Sequence, residues 1–381
     1  MRYLSANSIF NGKEFLKEDS VLQLEDNANF VQITDASKVE SSSIEHHKGI
    51  ITPGFVNSHC HLELSHMHQI IPQKKGFLDF VKTIMSRRNL VSVEQMIEAG
   101  KQADLQMVQN GIVAVGDISN INLTFEVKQQ SSIFYHTFIE LLGLDPAKTT
   151  PMLSYGVGLL TELKKLSLSG SLAPHAPYSC SSQLIKAIAA HNANNNLPTS
   201  IHNQESEEEN KFLRGEKSDF DDLYKFLQLD ISWFKPNFKS SLDSYVKELN
   251  TGTNILVHNT FSSEEDMKSV RSNVFWCLCP SANLYIEDTL PNYTQLLKNT
   301  QQICFGTDSL ASNSDLNLIK EANIFYSNTG ELELSLKGIT HNGAKALGIE
   351  DKFGLFIKGK NTGLNLITAD KKDLKLIKVL C

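Results

Sequence analysis

The chain has 381 residues, 41% of them hydrophobic, so it can bury a large core, which excludes a disordered protein. Its 36 Lys and Arg against 43 Asp and Glu give a net charge of -7 without any basic stripe, which argues against nucleic-acid binding. No apolar run has the length of a signal-peptide core or a membrane span, so we expect a cytoplasmic protein with no membrane partner.

The two ends of the chain carry short strand patterns without a helical period. Residues 1–50 contain strands and turns around NGKE, and residues 349–381 contain GLFIKG, LNLIT and LKLIKVL. Segments this short cannot bury a face alone, so we expect both ends to pair into one small β-sandwich domain. The sequence therefore predicts a small domain made of 1–50 and 349–381 beside a larger one over 51–348.

In the middle of the chain, β-rich apolar runs alternate with amphipathic helical stretches, a pattern typical of βα units around a parallel sheet. One helix is indicated locally, because Ser92 and Gln95 form a capping-box pattern and Gly111 follows as a stop. Eight strand candidates occur here in order: GIITPGFVN, GIVAVGD, IFYHTFIE, LSGSLAP, PTSIH, NILVH, VFWCLC and QICFGTD. Eight strands close a (β/α)8 barrel, so the predicted fold class is α/β with a TIM-type barrel.

The eight runs end at or beside side chains that are nearly all ionisable or able to bind a metal: His59, Asp117, Glu140, His175, His202, His258, Cys279 and Asp308. The carboxyl ends of barrel strands converge on one rim, where the active site is built. We therefore expect these sequence-distant residues to be neighbours.

His59 and His61 are two residues apart at the end of the first run. Side chains with this spacing point to the same side of a strand, so both imidazoles can reach one cation. His202 and Asp308 would complete a set of three imidazoles and one carboxylate, suited to Zn²⁺ or Fe²⁺ with a position open for water. Structural alternatives stay open here, since a histidine pair can be a packing feature and Asp308 can be a helix cap.

Three further residues near the strand ends also have two readings. Glu205, in HNQE, places a carboxylate beside the candidate metal, or it is a solvated residue of a helix start, as we expect for Glu207 to Glu209. His175 and His258 close their runs at the same rim, but a lone histidine there is often a core or cap residue.

Several other polar groups are expected to be structural. His66 and His68 form a second histidine pair in a predicted loop, where a lid or substrate contact is the alternative. Arg87 and Arg88 fit a solvated helix surface, although they could also meet a substrate carboxylate. The six cysteines are sparse in a chain of this length, so we expect buried, reduced thiols and no disulfide scaffold.

Six segments, taken in order, resemble motifs of the amidohydrolase superfamily, in its branch of nucleoside and nucleobase deaminases and chlorohydrolases: ITPGFVNSHCHLE, APHAPYSCS, HNQE, VHN, CPSAN and GTDSLASNSDLNL. The resemblance covers nearly the whole chain and implies a distorted (β/α)8 barrel. It also implies one divalent metal, Zn²⁺ before Fe²⁺, held by His59, His61, His202 and Asp308. Since SLAPHAP has no lysine at the end of the fourth strand, a mononuclear site is favoured.

The resemblance also assigns roles in catalysis. Glu205 would protonate the ring nitrogen, His258 and Asp308 would take or hold the proton of water, and His175 would contact the substrate. The implied reaction is hydrolytic deamination of a small molecule, an aminopurine-type nucleoside, with release of ammonia.

The substrate and the assembly stay open. HLELSH is similar to a stretch of aminodeoxyfutalosine deaminases. The alternatives are a deaminase of S-adenosylhomocysteine, adenosine or guanine, a chlorohydrolase or cyclic-amide hydrolase, and a catalytically silent binding or assembly protein. The resemblance is compatible with a homodimer.

Overall fold

Fourteen β-strands and thirteen α-helices make up the computed structural model, which describes residues 1–381. The strands are β1 (Arg2–Ile9), β2 (Ser20–Leu24), β3 (Phe30–Asp35), β4 (Ile44–Pro53), β5 (Phe55–Cys60), β6 (Ile112–Ser119), β7 (Phe134–Leu141), β8 (Ser169–Pro174), β9 (Thr199–Asn203), β10 (Asn254–His258), β11 (Val274–Leu278), β12 (Ile303–Phe305), β13 (Leu364–Asp370) and β14 (Asp373–Val379). The helices are α1 (Phe77–Arg87), α2 (Val93–Gln109), α3 (Phe125–Gln130), α4 (Thr149–Lys165), α5 (Ser182–Asn194), α6 (Glu207–Leu213), α7 (Phe220–Phe226), α8 (Glu264–Ser269), α9 (Pro280–Ile286), α10 (Tyr293–Asn299), α11 (Leu318–Thr329), α12 (Leu332–Gly338) and α13 (His341–Leu347).

The two ends of the chain meet in one mixed sheet of six strands, in the order β14-β13-β4-β1-β2-β3. Strand β4 is the link, because it pairs parallel with β1 and antiparallel with β13. The sheet buries a separate apolar cluster with side chains from several of its strands, which include Leu4, Leu22, Ile51 and Leu366. The division of the chain into domains 1–50 with 349–381 and 51–348 stays a prediction.

The eight middle strands form two parallel sheets, β5-β6-β7-β8 and β9-β10-β11-β12, with helices between successive strands. All eight predicted strands are present, and together they make the predicted TIM-type barrel. The first one begins later than its predicted range of 49–57, since residues up to Pro53 already pair in the terminal sheet. Gly54 lies between β4 of the terminal sheet and β5 of the barrel. A Cβ at this position would collide with Val113 and the Thr362 carbonyl.

Backbone hydrogen bonds join the two half-barrels at both of their edges. The amide of His202 donates to the carbonyl of His175 over 3.0 Å, and the amide of Asp308 donates to the carbonyl of His59 over 3.2 Å. Buried Asn57 strengthens the second edge, because its Nδ2 donates to Thr307 Oγ1 over 2.8 Å. The carboxyl ends of the eight strands therefore form one continuous edge, here called the catalytic rim.

Helix α2 shows how local sequence sets the helical layer. Ser92 caps its start and Gln95 returns the hydrogen bond, as the capping-box pattern predicts, and Gly111 follows the helix with φ of +74°. The largest core cluster has 46 buried residues, which come from both helices and strands. A second cluster of 16 buried residues includes strand side chains such as Val257 and Cys277. None of the helices combines the length and apolar composition needed to cross a bilayer.

Candidate metal centre

Four side chains from three separate strand ends converge at the catalytic rim. His61 Nε2 lies 3.1 Å from His59 Nε2 and 3.3 Å from His202 Nε2. Asp308 Oδ1 lies 3.5 Å from His59 Nε2 and 3.4 Å from His61 Nε2. These are the four residues that the sequence singled out, and they lie where the two half-barrels meet.

The spacing of these donors fits a divalent metal ion. Ligand atoms at about 2.0–2.1 Å from a tetrahedral ion are separated from one another by about 3.3 Å, close to the distances found here. Three imidazoles and one carboxylate are also the ligand types that Zn²⁺ and Fe²⁺ accept. The fit therefore rests on both the geometry and the chemistry of the donors.

The environment holds these side chains in the protonation states that bind metals. Burial lowers the pKa of His59 to about 4 and that of His61 to about 3, so both rings are neutral near pH 7. Burial acts to raise the pKa of the Asp308 carboxyl. The contact with His59 and the proximity of His61 outweigh that effect and hold the pKa well below its usual range. Ser312 also donates its hydroxyl to Asp308 Oδ2.

Two of the site residues, and one beside them, have unusual backbone conformations. Asp308, His258 and Gln204 have φ of +54°, +73° and +48°, a region that side chains other than glycine rarely adopt. Such conformations persist only where the surroundings enforce them, and they are common at functional sites. Here they turn the chain sharply at the strand ends, where the polar side chains are presented.

Glu205 and His258 lie side by side next to the candidate metal donors. Glu205 Oε1 is 3.6 Å from His258 Nε2, and His258 Nδ1 is 3.0 Å from Asn283 Oδ1. Burial raises the pKa of Glu205 well above that of an ordinary glutamate, and burial lowers the pKa of His258. A carboxyl that keeps its proton next to a neutral imidazole can donate and recover protons near neutral pH.

Glu209 corrects one expectation from the sequence. Glu207 to Glu209 do begin helix α6, but Glu209 is fully buried instead of solvated. Its carboxylate accepts hydrogen bonds from the backbone amides of Gln204 and Glu205 over 2.9 and 3.1 Å. The short helix turns this side chain back under the loop, where it fixes the backbone that carries Glu205.

His175 completes the set of predicted site residues at the rim. Its ring is tilted by 52° to the ring of His202, with centroids 5.0 Å apart, and its Nδ1 lies 2.6 Å from Ser179 Oγ. The Tyr178 ring makes an edge-to-face contact with the His175 ring, with centroids 5.6 Å apart. The rings of Phe77 and Phe220 both pack against Tyr178, and Phe77 and Phe220 line a cavity of about 380 Å³.

The amidohydrolase family model matches residues 50–381, which is most of the chain. The chain belongs to the amidohydrolase family. A 5'-deoxyadenosine deaminase of Methanococcus vannielii is 27% identical over 394 residues, covering 97% of this amidohydrolase and 86% of the relative.

Two solved structures share the fold of this amidohydrolase. The aminofutalosine deaminase of Helicobacter pylori in complex with methylthio-coformycin has a TM-score of 0.84 at 24% identity, covering 97% of this chain and 92% of that one. An adenosine deaminase from Xanthomonas campestris with bound zinc has a TM-score of 0.74 at 17% identity, covering 97% and 85%. The similarity at these identities concerns the fold.

The second histidine pair and Arg87 are not part of the cluster of candidate metal ligands. His66 Nε2 is 2.8 Å from the carbonyl of Arg88, and His68 Nε2 is 2.9 Å from the carbonyl of Ser314. Arg87 is exposed at the end of helix α1. All six cysteines are free thiols, five of them buried.

Sequence reasoning missed the side chains that hold the site residues in place. Asn283 orients His258, and Ser312 binds Asp308. Both lie inside the motifs CPSAN and GTDSLASN, so a polar residue within a motif is the available signal. Asp117 at the rim also has a structural role, because its Oδ1 accepts the backbone amide of Leu62, directly after His61, over 2.8 Å.

Proposed function

We propose that this amidohydrolase is a metal-dependent deaminase that hydrolyses the amino group of an adenosine-type nucleoside and releases ammonia. The observation that carries the proposal is the buried Glu205 carboxyl beside His258, directly next to the converging metal donors. The names of its relatives support the substrate class, since they are deaminases of 5'-deoxyadenosine, aminofutalosine and adenosine.

We propose His59, His61, His202 and Asp308 as the ligands of a single Zn²⁺ ion. A Zn²⁺ site with open coordination suits hydrolysis, and the Xanthomonas campestris structure contains zinc in the same fold. When bound, the ion supplies Lewis acidity, which makes a hydroxide nucleophile available near neutral pH. Fe²⁺ is the alternative ion for this donor set.

The protein side chains manage the protons of the reaction. Glu205 donates its proton to the ring nitrogen beside the amino-bearing carbon, which makes that carbon electrophilic. Asp308 and His258 accept the proton that water loses as the new carbon–oxygen bond forms. That proton passes to the amino group, which leaves as ammonia with the electrons of the broken carbon–nitrogen bond.

The remaining hydroxyl proton returns to Glu205, so the product is the oxo form of the ring and the enzyme is regenerated. His175 lies at the rim next to the rings of His202 and Tyr178, and this position supports its role as a substrate contact.

The six unpaired thiols favour a reducing compartment, so we propose a cytoplasmic location.

A substrate screen tests this function. The zinc-loaded protein is incubated with adenosine, 5'-deoxyadenosine, S-adenosylhomocysteine, aminodeoxyfutalosine and guanine, and ammonia is measured. We expect release from at least one nucleoside and loss of that activity in Glu205→Gln. No ammonia from any aminopurine would overturn the proposal, and halide release from a chlorotriazine in its place would favour a chlorohydrolase.

A further inference from the structure

A chain of polar side chains connects His202 to the second strand-end loop of the barrel. Glu140, at the end of β7, places Oε1 3.4 Å from His202 Nδ1. Its other carboxylate oxygen accepts a hydrogen bond from Asn120 Nδ2 over 2.9 Å. The same Nδ2 also donates to the backbone carbonyl of Glu140 over 3.3 Å. Glu140 and His202 are both buried, and none of these contacts serves the proton transfers described above.

The same loop is tied to the segment that carries the first histidine pair. Glu63, two residues after His61, accepts the backbone amides of Asn120 and Ile121, each over 3.1 Å. Asn120 therefore stands between two parts of the metal centre. Its backbone is anchored to the His61 segment, and its side chain holds the carboxylate that faces His202.

In this arrangement only one nitrogen of the His202 ring, Nε2, can bind a metal ion. Its Nδ1 points to the carbonyl of His175 at 2.8 Å and to Glu140, which leaves Nε2 free on the side of His59 and His61. The hydrogen bond from Nδ1 to the His175 carbonyl fixes the tautomer, and a carboxylate beside the same nitrogen helps to orient the ring and makes it a stronger ligand.

We propose that Asn120 and Glu140 are positioning residues for the metal ligand His202, with Asn120 holding the Glu140 carboxylate against the His202 ring. This inference rests on the ligand set proposed above. It assigns a role to Glu140, a rim residue that the deamination chemistry leaves unused.

Metal affinity of three variants tests the inference. Glu140→Gln keeps the shape of the side chain but removes its charge, and Asn120→Ala releases the carboxylate. The matched control is Asn122→Ala, since Asn122 in the same loop donates to Glu162 over 2.9 Å at the exposed surface, away from the rim. Zinc dissociation constants are measured by competition with a chelating indicator, and unfolding of the metal-free proteins is followed in parallel.

We expect Glu140→Gln and Asn120→Ala to bind zinc about 10- to 100-fold more weakly, and Asn122→Ala to bind like the parent. A variant that combines Asn120→Ala with Glu140→Gln should bind zinc no more weakly than Glu140→Gln alone, because both changes disrupt one interaction. A purely structural role would lower the stability of the metal-free protein without changing its zinc affinity, and that result would overturn the inference.

Equal weakening in Asn122→Ala would also overturn it, because the effect would then belong to the loop as a whole. The readout needs no substrate. A failed deaminase assay with a positive zinc result would therefore refute the proposed function while leaving the positioning role intact.

Discussion

Replacement of Lys128 by methionine should strongly destabilise the barrel. Lys128 and Asp117 form an ion pair with no exposed side-chain surface, and their Nζ and Oδ2 atoms are 2.5 Å apart. Lys128 also donates to Ser119 and Thr137, over 2.8 and 3.2 Å. Methionine has a similar unbranched length without the charge, so the variant leaves the Asp117 carboxylate buried beside only a backbone amide and a hydroxyl.

The size of the effect follows from that burial. Removing one partner of a buried pair costs about 3–5 kcal/mol of unfolding free energy, because the remaining charge has no compensating partner. Replacing Asp117 by asparagine in the same protein removes that charge while Leu62 keeps an acceptor for its amide. The double variant should therefore be more stable than Lys128→Met alone.

The deficit should also depend on pH. Burial already raises the pKa of Asp117 against the opposing effect of Lys128, so removing Lys128 raises that pKa further. A carboxyl with a folded-state pKa above its unfolded value gains stability as the pH falls, because the folded state binds the proton more tightly. The difference between Lys128→Met and the parent should shrink as the pH is lowered.

Urea unfolding followed by circular dichroism, at one free zinc concentration and several pH values, measures these quantities. A Lys128→Met protein with the unfolding midpoint of the parent would refute the reasoning. So would a double variant that is less stable than the single one.

Three further changes have definite expected outcomes. Glu205→Gln should lower ammonia release by about 10²- to 10⁴-fold with unchanged zinc content by metal analysis; equal loss of zinc would contradict its role as a proton donor. Burial raises the pKa of Glu321 from 4.5 to about 7, so its ionisation should lower the stability of the fold as the pH rises from 4.5 to about 7. Glu321→Gln should remove that part of the pH dependence in urea unfolding, and an unchanged pH profile would contradict the assignment. His68→Ala should retain the zinc content and turnover of the parent; a loss of either would show that His68 belongs to the site.

The strands of the barrel and the rim residues could be predicted because they leave local signals in the sequence. Each buried parallel strand is a short apolar run, and the polar residue that ends it is conspicuous. Barrel geometry then brings those ends together whatever their separation, which is how His59 and His202 could be expected as neighbours.

Features that depend on contacts between distant segments could not be predicted in this way. The apolar run GIITPGFVN gives no sign that it is shared between two sheets, because its residues are apolar or small along most of its length. Glu209 lies in an acidic run that is typical of a solvated helix start, and its burial depends on a loop whose Ser241 hydroxyl donates to it. Asn283 is 25 residues from His258, and the sequence gives no register between them.

Metal reconstitution tests the central proposal most directly. Zinc is removed by chelation, its loss is verified by metal analysis, and ammonia release from the best nucleoside is followed as zinc is added back. We predict no turnover without metal and recovery in proportion to zinc up to one ion per chain, with no recovery in His61→Ala. Undiminished ammonia release from the verified metal-free protein would contradict the metal-dependent mechanism.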